Sequence, residues 1–204
     1  DDKGLNLPPK LAPYQVVIIP ITPNEDSSSM ILESAQKIVN EIDGDFRVHI
    51  DDRDNISPGF KFNEWELKGV PLRLEIGPRD IENNSVVFSR RDGVEGKFNV
   101  PISEIKNKVS ENLDDIHNKL LESSKIFREE NTKHVENYEA LIAALNSEPG
   151  FVTCYWDENS SDEDRVKQET KATLRCYVLD HDKTGSAVNN ENAQGKLAIF
   201  SKAY

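Results

Sequence analysis

The chain has 204 residues, with 25 basic and 37 acidic side chains and a formal charge of −12. That length allows one large domain or two small ones, each with its own core, and two are expected. The acidic balance excludes indiscriminate phosphate binding, which needs a dense basic surface, and no apolar run approaches the ~20 residues of a membrane helix, so a soluble chain with no membrane partner is expected.

Asp1-Asp2 opens the chain with neither an initiator Met nor a leader pattern, so the chain is expected to be part of a longer polypeptide. The near-continuous apolar run Tyr14 to Ile21 reads as a strand covered on both faces. Asp26 and Ser27 to Ser29 are placed to cap a helix whose Ile31, Ala35, Ile38 and Ile42 form one apolar stripe, and Gly44 ends it. Phe46, Val48 and Ile50 alternate with outward Arg47 and His49 in a second strand. Pro58-Gly59 predicts a turn, Phe60 to Lys68 a short helix, and Pro71 to Ile76 a third strand. Two short strands, "SVVFSRR" and "GKFNVP", flank the turn at Asp92-Gly93. The order βαβαββ implies an α/β fold with a mixed five-stranded sheet and helices on its faces.

From Ile102 onward, Ile105, Val109, Leu113, Ile116 and Leu120 recur at helical spacing and predict a long connecting helix, followed by a second helical stretch from Asn137 to Leu145. The remainder alternates strand (151–156), helix (162–170), strand (173–179), polar loop and strand (196–202), which makes a small second α/β domain.

Residues 51–100 hold 8 basic and 10 acidic side chains, so the stretch is rich in cations without being net basic. Within it, the strand Leu72, Leu74, Ile76 carries Arg73 and Glu75 between its apolar residues, behind a helix bearing Glu64, Glu66 and Lys68. Such a mixed-sign face suits either the solvated side of an amphipathic strand or individual side chains that read a polar ligand. Asp51, Asp52 and Asp54 fail the calcium-loop pattern and are expected at a solvated strand end. Cys154 and Cys176 are too few for a disulfide framework and fit a reducing, cytoplasmic compartment as buried thiols. His49, His117, His134 and His181 are scattered, with no pattern for nucleophilic catalysis.

The segments "LNLPPKLAPYQVVIIPI", "RVHIDDRDNISPGFKFNEWELKGVPLRLEIGPRD" and the terminal "AIFSKAY" resemble the C-terminal part of prolyl-tRNA synthetases of the archaeal and eukaryotic type, and the resemblance runs end to end. It implies that 1–9 is the tail of the class II catalytic domain, 10–101 the anticodon-binding domain, 102–146 connecting helices and 147–204 a C-terminal α/β domain. It further implies a proline-tRNA ligase as the full-length protein, using ATP and Mg in a catalytic domain absent here, so this chain is expected to be inactive alone and to hold no catalytic residue or cofactor. The expected partners are the anticodon loop of proline tRNA and the protein's own catalytic domain. A homodimer is expected for the full-length protein and a monomer for this part.

Proline anticodons share two adjacent guanines. Guanine O6 and N7 accept from a guanidinium or ammonium, and its N1–H and N2–H2 suit a carboxylate. By the resemblance, the anticodon contacts fall on Glu66, Arg73 and Lys97, with Arg79 as a phosphate or base contact and Phe62 either stacking on a base or belonging to the core. Tyr204 supplies a terminal carboxylate that the resemblance directs toward the catalytic domain. Many relatives hold zinc in the C-terminal domain by two cysteine pairs, and those positions fall here on Asp157, Asp162, Ala187 and Asn190, so no zinc is expected. The competing functional readings are a freestanding synthetase-derived module for RNA or protein binding, without ligase activity, and a metal- or redox-active second domain.

Overall fold

The structure is a computed structural model that describes residues 1–23, 25–94, 96–147, 149–158, 160–179 and 181–203. The chain divides into two compact units, Asp1–Glu122 and Ser123–Tyr204, each described below by itself.

In the first unit, β1 (Val16–Pro20), β2 (Val48–Ile50), β3 (Leu72–Ile76), β4 (Ser85–Arg90) and β5 (Phe98–Pro101) form one sheet in the order β2-β1-β3-β4-β5. β1 runs parallel to β2 and β3, and the β3–β4 and β4–β5 pairs are antiparallel. This is the mixed sheet that the element order implies. β1 is buried at every residue because both of its faces are covered, as its unbroken apolar run requires. One face packs Val16, Ile18, Leu72, Leu74 and Phe88 against the Ile31, Ala35, Ile38 and Ile42 stripe of α1 (Glu25–Ile42). Ile105, Val109 and Leu113 from the start of α4 (Ile105–Glu130) complete that core. The predicted stripe on α4 fades at Leu120, and residues 121–130 are exposed.

The opposite face is covered by α2 (Pro58–Leu67), whose Trp65 packs with Val17, Ile19 and Val70. Pro58 and Gly59 do not turn the chain ahead of this helix; they begin it. Ser57 accepts a hydrogen bond from the Phe60 N–H at 3.4 Å, and Pro58 takes a first-turn position where its missing N–H has no consequence. α1 likewise begins at Glu25, so the residues expected ahead of it as caps lie inside its first turns. A short helix, α3 (Pro78–Glu82), follows β3 where no element was expected, because Asp80 accepts the Gly77 N–H and closes a turn.

Residues 1–12 are fastened to this unit. Arg47, expected to point outward, donates to the carbonyls of Pro9, Lys10 and Ala12. Arg91 grips the Asp1 carboxylate with two nitrogens and donates to the Gly4 carbonyl. The Leu5 N–H reaches the Leu67 carbonyl at 3.0 Å, and a side chain at Gly69, where φ is +73°, would strike Leu5.

The second unit contains β6 (Thr132–His134), α5 (Tyr138–Ser147), β7 (Phe151–Trp156), α6 (Ser160–Thr170), β8 (Ala172–Tyr177), β9 (Gly185–Ala187) and β10 (Asn190–Lys202). β10 is its central strand, antiparallel to β7, β8 and β9, and β6 lies parallel to β7. Leu141, Val152, Trp156, Val166, Ala198 and Phe200 fill the core, with the Trp156 and Phe200 rings edge to face at 4.8 Å. The predicted elements of this unit are present; β6, β9 and the first half of β10 were not expected. Among the described residues no helix is long and apolar enough to cross a membrane.

Candidate nucleic-acid interface

The alternation of β3 decides where its charges go. Leu72, Leu74 and Ile76 enter the α1 core, so Arg73 and Glu75 emerge on the α2 face, opposite Val17 and Ile19 of β1 and Ser89 and Val87 of β4. That face is not solvated. Glu75 is 4 % exposed and Arg73 is half-buried, so both must be paired there.

Glu75 is the junction. Its Oε1 accepts from Arg73 Nε at 3.1 Å and its Oε2 from Lys97 Nζ at 2.6 Å. Arg73 Nη2 also donates to Ser89 Oγ at 3.0 Å. From α2, the Phe62 ring lies 4.4 Å from the Arg73 guanidinium carbon and 4.6 Å from Lys97 Nζ, within cation–π range of both. Arg73, Lys97 and Phe62 are therefore brought together around Glu75, a carboxylate to which the resemblance assigns no contact.

Glu66 stands one turn beyond Phe62 on α2, and it lines with Arg73, Ser89 and Arg91 a cavity of about 50 Å³. Trp65 and Val70 share its lining, so charged and apolar groups together form its rim. Among the described residues, the Glu66 carboxylate faces only exposed Lys3, at 3.7 Å, a weak surface pair. Arg79 is exposed on α3, and its side chain shares no hydrogen bond, ion pair or ring contact with this group among the described residues. Tyr204 lies outside the described residues.

The tilt of α2 is fixed by Asp51. Expected at a solvated strand end, Asp51 is instead 1 % exposed, because β2 ends beneath α2 and delivers it to the underside of the helix. Its carboxylate accepts from Trp65 Nε1 at 2.7 Å and from Arg53 Nε and Nη2 at 2.8 and 2.6 Å. Buried Lys61 donates to the Asp51 carbonyl at 3.0 Å, and Arg53 continues to Glu64. Burial alone would raise the Asp51 pKa. The hydrogen bonds from Arg53 and Trp65, with the charges of Lys61 and Arg53, outweigh it and hold the carboxyl well below the usual range. Lys61 and Trp65 are four residues apart on one helix face, which is the signal in the sequence that marks their common partner. His49 stacks between Tyr14 and Trp65, at 5.0 Å from each ring.

In the second unit, the positions that the resemblance assigns to zinc form a hydrogen-bonded clasp. Asn189 Oδ1 accepts the Asp157 N–H at 2.9 Å, and Asn189 Nδ2 donates to the Asp157 carbonyl and to Asp162 Oδ2. Asn190 Nδ2 donates to Asp157 Oδ2 at 2.9 Å, and Ala187 offers no ligand atom. This donor set does not fit a tetrahedral thiolate site, and among the described residues no three His, Cys, Asp or Glu side chains are grouped to share an ion. Cys154 lies in the core, where burial pushes its thiol up to about 12, and Cys176, expected to be buried, is exposed.

Two family models match the chain: an anticodon binding domain over residues 15–112, and a prolyl-tRNA synthetase C-terminal domain over 138–204. The chain belongs to the prolyl-tRNA synthetase family. A proline–tRNA ligase of Roseiflexus sp. (strain RS-1) is 45% identical across the whole chain, which covers 43% of that relative. One from Natranaerobius thermophilus is 42% identical and covered to 42%, and a proline–tRNA ligase 2 of Clostridioides difficile is 39% identical and covered to 42%. The chain thus spans about two fifths of the length of the curated relatives it matches.

Replacing Asp51 by Asn is expected to lower unfolding stability at neutral pH by about 3 kcal/mol, because buried Lys61 and partly buried Arg53 lose their shared counter-charge. With its folded pKa depressed, ionised Asp51 stabilises the protein above the ordinary carboxylate range of about pH 4, and that increment declines as pH falls toward the lower folded value. Urea unfolding measured from neutral pH to pH 2 should therefore show a steeper acid loss for the wild type than for D51N. Parallel curves would refute the role given to Asp51.

Proposed function

We propose that this chain is the anticodon-reading part of a proline–tRNA ligase. In that reading the ligase attaches proline to its tRNA using ATP and Mg in a catalytic domain outside residues 1–204, and this chain supplies recognition but no catalytic residue. The observation that carries the proposal is the convergence of Phe62, Arg73, Glu75 and Lys97 on one sheet face beside Glu66, in a domain of the anticodon-binding family.

The chemistry follows from which donors remain free. Arg73 spends Nε on Glu75 and one Nη2 proton on Ser89, leaving Nη1 and the second Nη2 proton as an end-on fork. A fork of that shape spans the O6 and N7 acceptors of a guanine. Lys97 is 49% exposed along its side chain and keeps further protons for an acceptor on the neighbouring base. Glu66 is released by moving Lys3 alone, and its carboxylate then accepts from guanine N1–H and N2–H2. Phe62 supports the cations from beneath, which favours a floor role over direct stacking. Arg79, separate from this group, is assigned to the phosphate backbone. The nearest cations are otherwise committed: Arg90 to Asp92 and Asp115, Arg91 to Asp1 and Arg53 to Asp51 and Glu64. Such a surface selects base edges and offers little to phosphates at large.

The same reading places the ligase in the cytoplasm, as a homodimer joined through its catalytic part. Membership of the archaeal and eukaryotic type is proposed on the three segments that carry the resemblance. We also propose that the second unit carries no structural zinc, since the Asp157 carboxylate already accepts from Asn190 and the Asp162 carboxylate from Asn189.

Titrating the chain with proline anticodon stem-loops should show preference for the loop with two adjacent guanines over one with both replaced. Arg73→Ala should weaken the guanine loop by about tenfold or more while leaving the replaced loop nearly unchanged, as expected for one lost bidentate base contact. Equal losses on both loops would remove Arg73 from base reading. Metal analysis of chelator-washed protein should return far less than one zinc per chain, and stoichiometric zinc would overturn that part of the proposal.

A further inference from the structure

Glu75 cannot touch RNA itself. It is 4 % exposed, and each carboxylate oxygen already accepts from a cation, Arg73 on one side and Lys97 on the other. Whatever it contributes must act through those two side chains.

Two consequences follow from its position. The Nε contact, the Ser89 contact and the Phe62 ring together fix the plane of the Arg73 guanidinium, so its free end points in one direction rather than sweeping a cone. Glu75 also cancels a charge. Once Lys3 moves away from Glu66, Arg73 and Lys97 are balanced by Glu75 and Glu66, which leaves the rim formally neutral; without Glu75 the rim would carry a net positive charge beside a half-buried aromatic floor. A neutral, dipolar rim suits a base edge, which is itself neutral and dipolar, whereas a cationic rim attracts any phosphate.

We propose that Glu75 is a positioning and specificity-determining residue: by bridging Arg73 and Lys97 it makes the site choose a purine edge over the sugar–phosphate backbone. This rests on the anticodon reading given above. The role differs from simple scaffolding, because scaffolding predicts only loss on substitution. Here removal of the charge predicts a gain of unselective affinity together with a loss of selectivity.

The test compares wild type, Glu75→Gln and Glu75→Asp on stem-loops with and without the adjacent guanines, over a series of salt concentrations, with circular dichroism melting and the Arg73 Nε–H resonance recorded for each. E75Q should bind both loops more tightly at low salt, steepen log K against log salt by about 0.7 for each additional phosphate engaged, and lose about tenfold of the guanine preference. E75D keeps the charge but retracts it, so its slope should return to the wild-type value while the preference stays reduced and the Arg73 resonance broadens. If the wild type prefers guanines and E75Q keeps both its preference and its slope, the role of Glu75 is overturned. If the wild type shows no preference, the anticodon reading falls, and the slope of E75Q on either loop still decides whether Glu75 neutralises the site. Should E75Q fail to melt cooperatively, E75D decides: preference and Arg73 resonance both at wild-type values would overturn the proposal.

Discussion

A strand covered on both faces cannot carry charge on either without pairing it, and β3 is such a strand. Its Leu72, Leu74 and Ile76 hold the α1 core, so the period-two alternation forces Arg73 and Glu75 under α2. A slip of one residue in the pairing with β1 would bury both charges among isoleucines and set three apolar side chains in the polar cluster under α2. The Val17–Arg73 register is therefore fixed by the same alternation that creates the site. Glu75 makes the arrangement tolerable by pairing with two cations at once, and the distribution of free donors on Arg73 and Lys97 is what remains.

Asp51 and Glu75 are two solutions to one problem, with different outcomes. Both are almost wholly buried carboxylates facing two basic side chains and an aromatic ring from α2. Around Asp51, buried Lys61 and doubly engaged Arg53 turn inward, and the indole N–H of Trp65 completes the set. The donors there turn to Asp51 and Glu64, and the cluster's effect is to hold α2 against the sheet. Around Glu75, Lys97 reaches in from the exposed approach to β5 and Arg73 keeps one end unbound. The structural cluster fixes Trp65, three residues after Phe62 and one before Glu66, so the helix carries the rigidity of Asp51 into the geometry of the site.

What could be read in the sequence was local. The unbroken run of β1, the α1 stripe, the alternation of β3 and the α4 stripe that fades at Leu120 are each encoded within one element, and the fold class follows from their order. Phe62, Arg73 and Lys97 are singled out through long motifs, and the Phe62 ring lies against both cations. The bridging role of Glu75 was not legible, because its partner Lys97 is 22 residues away and joins it only through the β3–β4–β5 meander. Asp51 read as solvent-facing since its acidic neighbours Asp52 and Asp54 disguise it, although Lys61 and Trp65 carried the clue. β6 and β9 are three residues each, too short for any period to register. The polar start of β10 resembles a loop, yet its pairing with β9 across a register shift makes it strand.

The second unit makes a related point about charge in a small domain. Its apolar interior closes without help, with Trp156 against Phe200 and Val166 of α6 completing the layer. What that core does not determine is the path of the chain from β9 into β10, where polar residues cross open ground. Asn189 settles it with a double hydrogen bond to the Asp157 backbone, the geometry of a strand pair made by one side chain, and extends to Asp162 at the start of α6. A metal held by four thiolates would tie the same segments through a point charge that needs deprotonated sulfur. The clasp ties them through a carboxamide, which donates and accepts at once and is itself neutral at every ordinary pH, so that Asp157 is held through its backbone and Asp162 through its carboxylate by one side chain.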